Sequence, residues 1–180
     1  VTLHHFTNPI WTYRYGSWGD ARMIDDFCRY VLTVVKELGH LVNYWVTINE
    51  PTVSTTLSYL SDWWPPQRNN PVYAWTAIRH MVKAHNLAYH IIHRHWPSAR
   101  VGVANNIVDF GPSRPGSIID RGLAALAHYT YNQWWLDQTF ETQDFIGLNY
   151  YFRHPLRAVR LHGRLHDQPL LQLRPERGRP

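Results

Sequence analysis

Apolar residues in this chain occur in short runs that are separated by longer, periodically patterned stretches. Four of the runs are rich in β-branched or aromatic residues and end in polar ones, which is the pattern of a strand. The four predicted strands cover residues 1–6, 43–50, 99–107 and 144–151. Each strand is therefore expected to deliver the polar residues at its end to a loop.

Three helices are predicted between these strands, because apolar residues recur there at spacings of three and four. The first covers 24–38 and ends at Gly39, where a left-handed residue commonly follows a helix. The second covers 78–92 and is closed by Pro97, and the third covers roughly 117–138. Helices that alternate with strands in this way predict parallel strands joined by right-handed crossovers.

The spacing of the strands indicates a barrel with elaborated loops. Successive strand ends are at least 42 residues apart, whereas a minimal crossover unit takes roughly 30 residues. A complete (β/α)₈ barrel takes about 250 residues and builds its active site from the loops at the carboxyl ends of the strands. We therefore predict an α/β fold over residues 1–152, a partial (β/α)₈ TIM barrel with about four of eight β/α units.

Residues 153–180 differ from the rest in composition and show no sustained strand or helix period. They hold seven Arg against Asp167 and Glu176, which accounts for the formal net charge of +5 of the whole chain. We predict an irregular Arg/Pro-rich tail or the scar of a truncation or frameshift. An alternative function follows from it: an interaction module whose tail binds RNA or an acidic partner.

The overall composition permits one folded domain, since 44% of the 180 residues are hydrophobic. No run of about 18 apolar residues and no signal-peptide pattern is visible, so no membrane partner is predicted. Cys28 is the single cysteine, which excludes an internal disulfide and makes a cytoplasmic location the simplest expectation. The chain begins with Val1 rather than Met, which suggests that the start of the gene lies upstream.

Polar side chains with both donors and acceptors gather at the ends of the four predicted strands. Amides, an imidazole, a carboxyl and a phenol together suit the hydroxyl groups of a sugar. These residues are His5, Asn49, Glu50, Asn105, Asn106, Asn149 and Tyr151. Four loop tryptophans offer flat apolar faces for sugar rings, namely Trp11, Trp18, Trp63 and Trp64.

Three stretches resemble glycoside hydrolase family 1, the retaining β-glycosidases. "TINEP" (47–51) resembles the acid/base signature of that family, and "VTLHHFTNP" (1–9) and "DFIGLNYY" (144–151) resemble two further stretches in the same order. "SYLSDWWPP" (58–66) resembles a family loop that usually begins with Gly. The resemblance covers residues 1–152, from about the third to the sixth barrel strand. It implies a β-glucosidase type of enzyme without a cofactor that acts on β-D-glucosides, β-D-galactosides or related compounds.

The resemblance also implies roles for individual residues. Glu50 would be the general acid/base, Asn49 would bind the 2-hydroxyl of the sugar, and His5 would bind its 3-hydroxyl. Phe6 stands where many members have Trp. Asn149 would lie by the catalytic centre, and Tyr151 would hydrogen-bond the nucleophilic carboxylate. Asn105 and Asn106 would lie towards the leaving group.

One element of the family is absent from these 180 residues, because no Thr-Glu-Asn-Gly stretch, which carries the nucleophile, occurs in them. We therefore expect the isolated chain to be inactive as a hydrolase. Two routes to a function stay open, association with a complementary fragment that completes the barrel and survival as a non-catalytic carbohydrate-binding module. The open strand edges also predict self-association.

Histidines, the cysteine and helix aromatics that could suggest a special site have ordinary structural explanations. The histidines in 85–95 lack the spaced pair flanking a Glu that a helical zinc site needs, so we predict no metal and a helix with solvated histidines. Only one of His4 and His5 can face a ligand, because neighbours in a strand point to opposite sides. Residues expected to pack in the core are Cys28, Tyr131, Trp134 and Trp135.

Overall fold

The protein forms one parallel sheet within residues 1–156, which are the residues described by the structure, a computed structural model. The strands are β1 (Thr2–His4), β2 (Tyr44–Asn49), β3 (Arg100–Pro112) and β4 (Phe145–Leu156). They lie side by side in chain order, and every neighbouring pair is parallel. The predicted α/β fold is confirmed, with four parallel strands of the kind that half of an eight-stranded barrel would contribute.

The α-helices of the described residues connect these strands. They are α1 (Arg22–Leu38), α2 (Pro51–Thr55), α3 (Pro71–His95), α4 (Ile118–Ala127) and α5 (Trp134–Thr139). Helix α3 begins at a cap, because Asn70 Oδ1 accepts a hydrogen bond from the Val72 N–H at 2.9 Å. The third predicted helix is interrupted by a π turn, His128–Gln133, and so becomes α4, the turn and α5.

The core lies between the sheet and helices α1 and α3. Val35 of α1 and Ala84 of α3 are fully buried together with Trp45 of β2. Gly39 follows α1 with a φ of −58°, so the predicted left-handed conformation is wrong. Glycine is needed there for space, because a Cβ would lie 1.8 Å from Nε1 of Trp96, which donates to the Val35 carbonyl at 3.1 Å.

Two aromatic side chains that were expected at the surface are buried. Trp18 is 1% exposed and its ring packs edge-on to His4, so its predicted role as a sugar platform is wrong. His85 is fully buried inside the histidine-rich part of α3, whereas His90 and His95 are exposed as predicted. Trp135 is fully buried, which confirms its predicted packing role.

Strand β4 runs further than predicted. It continues to Leu156, four residues past the predicted domain boundary, because Pro112 at the end of β3 still pairs with it. On the side of β4 opposite Asn149, three apolar residues are well exposed, namely Ile146, Leu148 and Tyr150. The rest of the predicted tail lies outside the described residues.

No helix in residues 1–156 has the length and apolar character needed to cross a membrane. Over the same residues, no cluster of three or more His, Cys, Asp or Glu side chains is arranged to hold a metal ion. Cys28 is half-buried against the core, and burial raises the pKa of its thiol to about 11, so the thiol stays protonated at neutral pH.

Candidate active site

A register shift changes the side of the sheet that the side chains face at the carboxyl end of β2. Val46 pairs with Gly102 of β3, and Asn49 pairs with Ala104, so three steps along β2 match two steps along β3. One extra residue therefore sits between Val46 and Asn49, which reverses the alternation of side chains along the strand. As a result Asn49 faces the same side of the sheet as Val46.

Glu50 follows this shift in a conformation that non-glycine residues rarely adopt. Its φ is +45° and its ψ is +62°, in the left-handed region. The conformation is held on both sides, because the Glu50 N–H donates to the Ala104 carbonyl at 2.7 Å and Pro51 starts α2 immediately afterwards. Backbone strain of this kind concentrates at functional positions, and it turns a carboxyl group that is 6% exposed out of the strand direction.

Asn149 of β4 meets this carboxyl group. Its Nδ2 donates to Glu50 Oε1 at 2.6 Å, across 99 positions of sequence. Asn106 is the register partner of Asn149 and is two residues beyond Ala104, the partner of Asn49. Three amides on three neighbouring strands therefore share one face of the sheet, as the strand-end pattern predicted.

Asn106 has spare hydrogen-bonding capacity. It is 3% exposed, and its Oδ1 has no hydrogen-bond partner within residues 1–156. Its neighbour Asn105 lies on the other face, where its Nδ2 donates to the Asn132 carbonyl at 3.1 Å under the helices. The two residues were expected together near the leaving group, but Asn105 is a packing residue and only Asn106 belongs to the amide face.

Two phenols lie in the electric field of Glu50. Tyr151 is 66% exposed, and the negative charge of Glu50 raises the pKa of its hydroxyl. Tyr131, from the π turn, is half-buried, and burial raises its pKa to about 12, with the charge of Glu50 as the next cause. The expectation that Tyr131 merely packs is therefore incomplete. Its position in a helical pattern gave no sign of the site, because the pattern does not show that a turn would interrupt the helix.

His5 lies at the end of β1, next to β2 in the sheet, with its side chain exposed. Its ring packs edge-on to Phe6 at 4.9 Å between centroids, and Phe6 contacts Trp64 at the same distance. No hydrogen bond or ring contact joins His5 to Glu50 or Asn149 in the described residues. His4, by contrast, is 4% exposed and packs against Trp18, which confirms that one of the two histidines serves the core.

The arrangement suits proton transfer to a bound hydroxyl compound. Asn149 donates to Oε1 of Glu50, and a carboxyl group has a second oxygen through which it can hold and deliver a proton. On the same face of the sheet, the Oδ1 of Asn106 has no hydrogen-bond partner within residues 1–156 and can accept from a hydroxyl group. Within residues 1–156, no hydrogen bond or ion pair joins Glu50 to a second acidic side chain.

Comparisons with known proteins place the chain among sugar-processing enzymes. The sequence model of Glycosyl hydrolase family 1 matches residues 1–145. A chloroplastic beta-glucosidase-like protein of Oryza sativa subsp. japonica is 34% identical over 84% of this chain and 25% of its own length. A chloroplastic galactolipid galactosyltransferase of Arabidopsis thaliana is 32% identical, over 84% of this chain and 26% of its own.

The solved beta-glycosidase from Pyrococcus horikoshii gives a TM-score of 0.76 at 31% identity, over 84% of this chain and 38% of that one. The chain therefore spans about a quarter of the length of the two curated relatives and somewhat over a third of the solved structure.

Proposed function

Because the chain belongs to glycosyl hydrolase family 1, we propose that it carries the acid/base side of a retaining β-glycosidase site. The substrates are β-D-glucosides, β-D-galactosides or related O-glycosyl compounds. Glu50 protonates the glycosidic oxygen as the bond to the leaving group breaks, and its carboxylate then takes a proton from the attacking water. No step of this scheme uses a cofactor or a metal.

The observation that carries the proposal is the 2.6 Å hydrogen bond from Asn149 to Glu50. It holds one oxygen of a buried carboxyl group in a fixed position, as an acid/base that acts on a bound substrate requires. The left-handed backbone of Glu50 agrees with the same role, because strained conformations concentrate at functional positions.

The remaining amides supply contacts to the sugar. Asn49 lies one residue before Glu50 on the amide face and binds the 2-hydroxyl, a contact that strengthens as positive charge develops on the ring. His5 binds the 3-hydroxyl from the neighbouring strand end. Asn106 faces the leaving group with an Oδ1 that has no partner within residues 1–156. Tyr151 is assigned to the nucleophilic carboxylate, although it lies in the field of Glu50 here.

The second carboxyl group is the part of the mechanism that these 180 residues do not supply. A retaining enzyme needs a nucleophile about 5 to 5.5 Å from the acid/base, and no Thr-Glu-Asn-Gly stretch occurs in the sequence. General acid catalysis alone contributes roughly 10² to 10⁴-fold. We expect the isolated chain to bind a glycoside without turning it over, so measurable hydrolysis that is abolished by Glu50→Ala would contradict this part of the proposal.

Calorimetric titration with a glucose-configured imidazole tests the site directly. The ring nitrogen of this probe accepts a proton where the glycosidic oxygen of a substrate would stand, so binding should weaken at least tenfold in Glu50→Gln. Glu37→Gln, which changes an exposed Glu on α1, is the matched control. Equal affinities of the wild type and Glu50→Gln, or no saturable binding, would contradict the proposal. A galactose-configured probe indicates which sugar is preferred.

Glycosyl transfer to an acceptor other than water is a second candidate. The Arabidopsis relative at 32% identity is named as a galactosyltransferase, and transfer and hydrolysis share the step in which the leaving group is protonated. They differ in the acceptor that Glu50 deprotonates. If the complete protein is active, the ratio of free sugar to new glycoside in the presence of added alcohol distinguishes the two.

Two further predictions concern partners. In the described residues β1 and β4 are the edge strands, and self-association through such edges is measured by sedimentation velocity at several concentrations.

RNA binding through the tail is measured by filter retention, which should fall steeply as salt rises. RNA retention without probe binding would favour the interaction-module alternative. A cytoplasmic location stays a prediction from the single cysteine.

A further inference from the structure

Helix α4 carries its large apolar residues on the side that points away from the protein. Asp120 is fully buried and Ala124 is 5% exposed, so the side of the helix that packs inward is small and polar. An ordinary surface helix does the opposite and buries its large apolar residues. The large apolar residues of α4 are 39% to 80% exposed, namely Ile118, Ile119, Leu123 and Leu126. This helix therefore presents an apolar face that the described residues leave uncovered.

The orientation of α4 is fixed at its first turn. The Asp120 carboxylate accepts from Nε and Nη2 of Arg114 at 2.7 and 2.6 Å, and the Asp120 N–H donates to Ser117 Oγ at 3.2 Å. Such a bidentate pair, with a buried carboxylate, is strong and geometrically specific, so it resists rotation of the helix about its axis. The apolar side of α4 therefore cannot turn inward without breaking this pair.

Strand β4 has an uncovered face beside this helix. Ile146 pairs with Val103 and Leu148 pairs with Asn105 in the register of the two strands. Both β3 residues are fully buried on the helix side of the sheet, whereas Ile146 is 43% exposed and Leu148 is 69% exposed. Tyr150, two residues further along β4, is 61% exposed. Because α4 contacts β4 directly, the uncovered helix face and the uncovered strand face lie on neighbouring elements.

The two uncovered faces together have the size of a protein interface. Their seven large apolar side chains expose roughly 800 Å², which is the share that one partner contributes to an interface of standard size. The largest apolar patch of a typical monomeric protein is smaller, about 300 to 600 Å². Both parts of such an interface, an apolar helix face and an open strand face, are present on this one chain.

We propose that this surface joins two copies of the chain around a two-fold axis. Helix α4 of each copy packs on the uncovered face of β4 in the other copy, so the same contact is made twice. A second copy is the partner that fits, because the chain itself supplies both complementary elements. Asn149 points to the other side of β4 from Leu148, so the amide face stays open in the dimer. This contact does not use the edges of β1 and β4, and it does not depend on the proposed function.

Sedimentation velocity of the full 180-residue chain at several micromolar concentrations tests this interface. The wild type should form a dimer. Leu148→Lys and Ile119→Glu should each raise the dissociation constant by about tenfold or more, because each places a charge in an apolar contact. Leu41→Lys is the matched control, since Leu41 is 71% exposed after α1 and lies outside the interface. This control should leave the dissociation constant unchanged.

An equimolar mixture of the two charged variants distinguishes this contact from any other. In a mixed dimer one helix–strand contact is unchanged, and the other brings the two introduced charges of opposite sign together. The mixture should therefore dimerise more tightly than either variant alone. A monomeric wild type, association that survives both substitutions, or a mixture that gains no affinity would overturn the proposal. If one variant does not fold, Tyr150→Lys or Leu126→Glu replaces it on the same element.

Discussion

Two buried polar residues three positions apart, Thr47 within β2 and Glu50 directly after it, differ in how their surroundings satisfy hydrogen bonds. Thr47 Oγ1 donates to His85 Nδ1 at 2.6 Å, and His85 Nε2 donates to the Thr142 carbonyl at 2.8 Å, so both ring nitrogens are paired. Glu50 has a strained backbone, and near it Thr52 Oγ1 and Asn106 Oδ1 have no normal hydrogen bond within residues 1–156.

This difference distinguishes the polar groups that stabilise the fold from the polar groups that are available to bind a ligand. A satisfied buried network stabilises the protein, and removing one member leaves another unpaired at a cost of about 1 to 3 kcal/mol. Unpaired polar groups and backbone strain reduce stability and persist where function needs them. The Thr47–His85 network therefore anchors the strand whose end presents Glu50.

Acidification should produce the largest effect on stability. Burial lowers the pKa of both His85 and His4 from 6.5 to about 4, so the unfolded chain binds more protons between these values. The free energy of unfolding is therefore unaffected by these histidines above about pH 6.5. It falls as the pH drops towards 4, by up to about 3 kcal/mol for each histidine. Urea unfolding across this range measures the loss. A flat profile would show that these histidines are accessible to protons in the folded state.

His85→Leu should destabilise the fold by about 2 to 3 kcal/mol, because it leaves the buried Thr142 carbonyl without its donor. The same variant should also reduce the acid sensitivity, since one of the two buried histidines is gone. His90→Leu, an exposed position on the same helix, is the control and should change the free energy of unfolding by less than about 0.5 kcal/mol. Similar losses of stability in both variants would contradict a special role for the Thr47–His85 network.

The same substitution made on either side of Glu50 gives a sharper comparison. Thr47→Val removes the donor to His85 and should cost about 1 to 2 kcal/mol in urea unfolding. Thr52→Val removes a buried hydroxyl that has no normal partner within residues 1–156, so it should change stability by less than about 0.5 kcal/mol. If the costs were reversed, the proposed distinction between an anchoring network around Thr47 and a ligand-binding region around Glu50 would be wrong.

The smallest effect is a gain in stability. Glu50→Gly should stabilise the fold by about 1 kcal/mol, because glycine adopts a φ of +45° without strain. Glu50→Gln keeps the strained backbone and should show no such gain, which makes it the control for thermal unfolding. Loss of stability in the glycine variant would mean that the bond from Asn149 outweighs the strain.

Much of this fold followed from the sequence because strands, helices and strand-end polar residues are local patterns. The pairing of Glu50 with Asn149 was also accessible, since parallel strands end at one edge and both residues lie at strand ends. The register shift before Asn49 could not be predicted. An extra residue in one strand is recognised only when its pairing with the neighbouring strand is known.

The positions of Tyr131 and His85 were missed for a related reason. Tyr131 was expected to pack and His85 to be solvated, whereas the roles of both depend on contacts with residues far along the chain. Asn132 fixes the turn through Val108, and Thr47 binds His85 across 38 positions. Such contacts are set by tertiary structure, which overrides the helical pattern at the π turn.

The most direct test of the amide face is the response of side-chain amide NMR signals to the glucose-configured imidazole. Asn106 and Asn149 should shift saturably, because they are register partners on the face of the sheet where Asn149 binds Glu50. Asn105 and Asn132 are held by packing contacts and should not move. Shifts confined to Asn105 and Asn132, or none at all, would contradict the claim that this end of the sheet is a glycoside-binding site.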